Sequence, residues 1–87
     1  MTSRKELLNK MCKASEMCQY AKWEAYKTDD TVSFSEAMEE ALKYEDEMFE
    51  LRLVADVLGV ERDEMDEAML LGIDKAYENR DNEATVA

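Results

Sequence analysis

Starting at Leu7, apolar or small residues fall at Leu7, Met11, Ala14, Cys18, Ala21 and Ala25, in steps that alternate between four and three. That spacing holds one face of an α-helix apolar and defines a heptad seam. Ser3 and Glu6 stand where a capping box satisfies the first backbone N–H groups, so the spacing predicts a first helix over about residues 4–27. A second seam runs through Phe34, Ala37, Ala41, Tyr44, Met48, Leu51, Ala55 and Leu58, again in steps of three and four. Between the seams lies Thr28-Asp29-Asp30-Thr31-Val32, a polar turn cluster. Ser33 with Glu36 suggests a second capping box, and Gly59 a left-handed C′ residue. The second helix is therefore expected over 33–58. A third is expected over 62–79, with Asp63 and Glu64 suited to its N-terminal dipole. The segment 81–87 reads as a flexible acidic tail.

Two seamed helices joined by a short loop predict an antiparallel, coiled-coil-like hairpin, with a shorter third helix folded over its open end. One register sets Ala25 against Ala37, Ala21 against Ala41, Cys18 against Tyr44, Ala14 against Met48 and Met11 against Leu51. The fold class is all-α, in one domain spanning residues 1–80. Eighty-seven residues with no proline and only two glycines leave little room for a turn-rich β fold. Gly72, inside the third helix, would allow a close helix contact. Near the end of helix two, Leu53, Val54 and Val57 add apolar surface outside the seam, and Met69, Leu70 and Ile73 do so in helix three. These six residues are the expected contact of a homodimer, and a helical bundle of two chains is one architecture they allow.

Charge changes the picture. The net charge is −11. Residues 1–28 hold six basic and three acidic residues (+3), and residues 29–87 hold five and nineteen (−14). Such a surface repels phosphates, so direct nucleic-acid binding is not expected. A partner with a basic surface is. Without histidine, the commonest metal ligand and acid–base catalyst is missing, and neither a zinc site nor a Ser–His or Cys–His nucleophile can be assembled. Cys12 and Cys18 lie ~9 Å apart along a helix, too far to bridge, and are expected to be reduced core residues. There is no apolar run of bilayer length and no signal-like N-terminus, so a cytoplasmic location is expected.

The carboxylates are therefore the candidate chemistry. Glu36, Glu39, Glu40, Asp46, Glu47 and Glu50 form an acidic face on helix two, broken only by Lys43, and Asp63, Glu64, Asp66 and Glu67 form a second patch. Tyr20 and Trp23, on the side away from the first seam, are candidate apolar anchors. Carboxylates three or four apart on a helix repeat every ~5–6 Å, near the ~7 Å spacing of phosphates on one strand. The expected function is that of a non-catalytic regulator or inhibitor, docking its acidic face on a basic nucleic-acid-binding site of a host protein. In size and charge the chain looks like the small anti-defence proteins of phages and mobile elements. No cofactor is expected. A dimeric structural or adaptor protein is the alternative.

Glu36, Glu39 and Glu40 in an E-x-x-E-E order, a second cluster at Asp63–Glu67, and Lys75, Asn79 and Arg80 beyond it together resemble the all-α nucleotide pyrophosphohydrolases over about half the chain. That resemblance implies Mg²⁺ held by carboxylates from two helices, and the basic residues on phosphate. The family's order is E-E-x-x-E, and its apolar stretch before the lysine is longer, so this enzymatic reading ranks third. A twelve-residue EF-hand loop from Asp29 to Glu40 would need glycine where Phe34 stands.

Overall fold

The computed structural model describes residues 3–86, with side chains through Asp81. It holds three helices: α1 (Arg4–Lys27), α2 (Thr31–Val57) and α3 (Arg62–Val86). They pack as a helical bundle in which α1 carries both of the others, while α2 and α3 hardly touch one another. The body measures 43 × 30 × 21 Å, so it is only about two helix diameters thick.

Every seam position of α1 is buried. Leu7 and Met11 join Ala55, Val60 and Met65 in one cluster, against which Leu51 and Met69 pack. Further along, Cys18 and Ala21 meet Ala41, flanked by Tyr44 and Met48. The residue order on α2 thus runs opposite to that on α1. The Cys18 thiol donates to the Ala41 carbonyl oxygen at 3.5 Å. On α2 the seam narrows to Ala41 and Ala55 as its fully buried members. Phe34 and Leu58, at its two ends, stay exposed.

A second buried row on α1 receives α3. Cys12, Ser15 and Glu16 are buried, and they face the small residues of α3. At Gly72 an added Cβ would collide with the Cys12 carbonyl oxygen and lie 2.9 Å from Ser15 Cβ. Ala76, one turn on, is 0% exposed. The absence of a side chain at residue 72 lets the two backbones approach, and the Ser15 hydroxyl then donates to the Met69 carbonyl at 2.7 Å. The close contact anticipated at Gly72 is therefore formed, against α1.

The helix ends differ from expectation in two places. Ser3 caps α1, accepting from the Glu6 N–H at 3.1 Å. For α2 the cap is Asp30, three residues earlier than expected, accepting from both the N–H and the hydroxyl of Ser33. Asp30 wins because its carboxylate reaches two donors at once and carries the charge that a helix N-terminus favours. Residues 31–40 are consequently helix, which removes the EF-hand loop. The acidic segment after Asn79 continues as helix to Val86. Between α2 and α3, Gly59 takes φ +79°. Val60 N–H bonds to the Ala55 carbonyl and Gly59 N–H to that of Asp56. This is a Schellman stop, with Val60 and Ala55 as its apolar contact. Arg4 reaches the Leu58 and Gly59 carbonyls at 3.4 Å each, placing a cation at the α2 C-terminus.

The Ser33 bonds hold the Asp30 carboxyl below its ordinary value of 3.8. A depressed folded pKa means that the cap contributes fully above the unfolded value and loses its contribution as pH falls through the folded one. Asp30→Asn should keep the cap while flattening this part of the acid limb in pH-dependent thermal melts. Asp30→Ala should lower the melting temperature near neutral pH, and by less once the parent's Asp30 is protonated.

Candidate functional site

The six candidate carboxylates of α2, Glu36, Glu39, Glu40, Asp46, Glu47 and Glu50, are all exposed. At 100° per residue they fill one arc of about 120° on α2, from Glu40 and Glu47 on the flank of the seam residues Ala41 and Ala55 to Glu39, Asp46 and Glu50 on the opposite side. Four of them, Glu39, Asp46, Glu47 and Glu50, border a shallow groove of about 490 Å³ whose floor includes Leu42 and Lys43. Glu16 forms an ion pair with Lys13 at 3.8 Å, and Glu45 with Lys22 at 3.1 Å. Among the described residues, none of the six is so engaged. The Glu45 contact raises the Lys22 pKa above its ordinary value and ties α1 to the flank of α2.

The second patch, Asp63, Glu64, Asp66 and Glu67, is also exposed and lies toward the end of the bundle away from Ala41. Met65 packs beside Leu7 and Met11, whereas Ala41 packs beside Cys18 and Ala21. Glu36, Glu39 and Glu40, beside Ala41, are thus set off from the second patch by roughly 16 Å along α1 at 1.5 Å per residue, while Glu47 and Glu50, beside Leu51, lie nearer to it. A single Mg²⁺, with ligands at ~2.1 Å, cannot draw on both the Glu36–Glu40 cluster and the Asp63–Glu67 cluster. Among the described residues, no three His, Cys, Asp or Glu side chains gather as a metal ion would need.

Tyr20 and Trp23 are half-buried rather than free-standing. Tyr77 meets the Trp23 ring edge-on at 5.0 Å, and the Arg80 guanidinium lies 4.9 Å from its centroid. The Tyr20 hydroxyl donates to Glu16 at 2.9 Å, and Asn79 donates to that hydroxyl at 2.6 Å. Asn79 and Arg80 therefore fasten α3 to α1. With Tyr26 and Lys27 they line a groove of about 670 Å³. Sequence reasoning missed Glu16 and Tyr77. The signal was present: an aromatic and a cation three apart (Tyr77, Arg80) opposite two aromatics three apart (Tyr20, Trp23).

Of the six residues expected in a dimer contact, Leu53, Val54, Val57 and Leu70 are exposed, Val57 at 86%. Met69 packs against the internal cluster, and Ile73 is half-buried.

Both cysteines are free and buried. Burial pushes the Cys18 thiol above its ordinary pKa, more than Lys22 lowers it. A raised pKa leaves less thiolate near neutrality. We expect a disulfide-exchange reagent at pH 8 to modify Cys18 at least about tenfold more slowly in the folded chain than in denaturant. Equal rates would place that thiol at the surface.

Among the described residues no helix is long and apolar enough to cross a membrane. Comparison with known protein families, with curated proteins and with solved structures returns no match for this chain.

Proposed function

We propose that this chain is a non-catalytic, acidic protein-binding module that lays the outer face of α2 on a basic surface of another protein. The observation that carries this reading is the set Glu36, Glu39, Glu40, Asp46, Glu47 and Glu50, exposed on one helix and unmatched by internal ion pairs. A helix already ordered against α1 presents these charges at little further entropic cost. Their spacing suits a surface built for phosphates, so a nucleic-acid-binding site of a host protein is the favoured target, and inhibition by occupancy the favoured mechanism. In this reading α1 and α2 form a coiled-coil-like hairpin that serves as the rigid support.

Glu36→Lys, Glu40→Lys and Glu47→Lys together shift the net charge from −11 to −5, since each change adds two. All three positions are exposed, so the melting temperature should hold. Association with a partner captured from the native host should weaken by about tenfold or more, and the parent's association should fall steeply with salt. Undiminished binding by the triple variant would reduce the stripe to solvated surface.

A second reading is supported by the exposure of Leu53, Val54, Val57 and Leu70: a dimeric adaptor whose assembly uses the apolar end. It requires a concentration-dependent dimer in sedimentation, with partner binding that ignores salt.

A further inference from the structure

The outer side of α2 carries more than charge. Leu42, Phe49, Leu53 and Val57 are 53%, 64%, 54% and 86% exposed. They follow one another in steps of seven, four and four, so they form a ridge on one side of the helix. The ridge covers about 22 Å, or four turns, and each member lies outside the seam that packs on α1. Solvation alone does not account for four large apolar side chains aligned at helical spacing.

What covers them is indicated by their neighbours. Glu39, Asp46, Glu47 and Glu50 share a groove with Leu42 and Lys43, and Asp56, Arg52 and Arg62 line one with Phe49 and Leu53. Five carboxylates against three cations leave an excess of negative charge along the ridge, concentrated around Leu42. A second copy of this chain would bring the same excess to the same ridge and place like charges together. An extended basic strand would satisfy the carboxylates and leave the ridge wet. An α-helix with one apolar stripe flanked by lysine and arginine satisfies both: its stripe packs along the ridge by side-chain interdigitation, and its flanks meet the carboxylates.

We infer that the ridge Leu42–Phe49–Leu53–Val57 is the docking seat for a basic amphipathic helix of the partner. The inference rests on the protein-binding reading above and narrows its target to a helical element.

The test uses the full chain and two dye-labelled synthetic peptides of about 18 residues, long enough for the four-turn ridge. One has leucines at helical spacing flanked by lysine and arginine. The other has the same composition scrambled, so that it has equal charge and no apolar stripe. In fluorescence anisotropy near 150 mM salt, the amphipathic peptide should bind at least about tenfold tighter than the scrambled one. Phe49→Ser with Leu53→Ser, both at exposed positions, should leave the melting temperature in place and reduce its affinity to the scrambled level. Equal, salt-sensitive binding of both peptides would overturn the helical seat while leaving the acidic docking face intact. Binding of neither peptide, even at low salt, would overturn both. A dimer of the chain alone that Phe49→Ser with Leu53→Ser dissolves would assign the ridge to a second copy and also overturn the inference.

Discussion

Replacing Gly72 by alanine is expected to lower the melting temperature by about 10–20 °C, equivalent to ~2–3 kcal/mol for a domain of this size. The sign is informative, because the same change in an isolated helix should stabilise it by ~1 kcal/mol. Two effects compete, and packing wins. The added Cβ would collide with the Cys12 backbone oxygen and crowd Ser15 Cβ at 2.9 Å and Glu16 N at 3.0 Å. Two of these three neighbours are backbone atoms of α1, which cannot swing aside as a flexible side chain would. Relief requires α3 to move outward. That stretches the 2.7 Å bond from Ser15 to the Met69 carbonyl and loosens Ala76, which has no exposure at all. The shift should also weaken the Trp23 contacts with Tyr77 and Arg80, so the intrinsic fluorescence of the chain's single tryptophan should move toward that of the exposed indole. An unchanged or raised melting temperature would mean that α3 does not sit on α1 at this distance.

The same pair of helices shows where sequence reasoning was sufficient and where it was not. The α1 seam was legible because a run of alternating three- and four-residue steps has one interpretation, and all six of its positions are buried. Gly59 was legible for the same reason, since a left-handed C′ residue strongly favours glycine. The α3 contact was harder to read. Its α1 row, Cys12, Ser15 and Glu16, holds a thiol, a hydroxyl and a carboxylate. Hydrophobic periodicity cannot register such a row, because what drives it is backbone proximity and hydrogen bonding. The α2 cap was not legible because Asp30 and Ser33 stand within one turn and both residue types cap well; the two bonds that Ser33 donates to the Asp30 carboxylate decide it. Of the candidate site, the exposed carboxylates follow from the position of the seam, since what lies outside it on α2 meets solvent. Tyr20 and Trp23 do not follow in this way. Their surroundings depend on residues more than fifty positions away, Tyr77, Asn79 and Arg80, and only the packing angle of α3 brings these together.

Ala41→Asp should abolish the cooperative thermal transition near neutral pH. Ala41 is 1% exposed, with Cys18 and Ala21 on the facing helix and Tyr44 and Met48 beside it. A carboxylate there has no donor waiting for it: the nearby ammonium of Lys22 already lies 3.1 Å from Glu45, and the Cys18 thiol is committed to a backbone oxygen. An unpaired buried charge and the extra volume in a small-residue contact act in the same direction. Together they should exceed ~4–5 kcal/mol, comparable with the whole stability of ~4–13 kcal/mol expected for a chain of this length. The introduced carboxyl would have its folded pKa raised above an unfolded value of ~3.9. The penalty is then full above the folded pKa and eases as pH falls through it. The helical signal of the variant should accordingly recover in part between about pH 6 and pH 4, where the parent shows no gain. Ala41→Ser, which adds little volume and can donate back to the backbone, should remain folded with a modest loss of about 1–2 kcal/mol. The contrast between the two variants separates charge burial from simple loss of the alanine. If both melted like the parent, Ala41 would not lie between α1 and α2, and the carboxylates placed outside its seam would lose their common face.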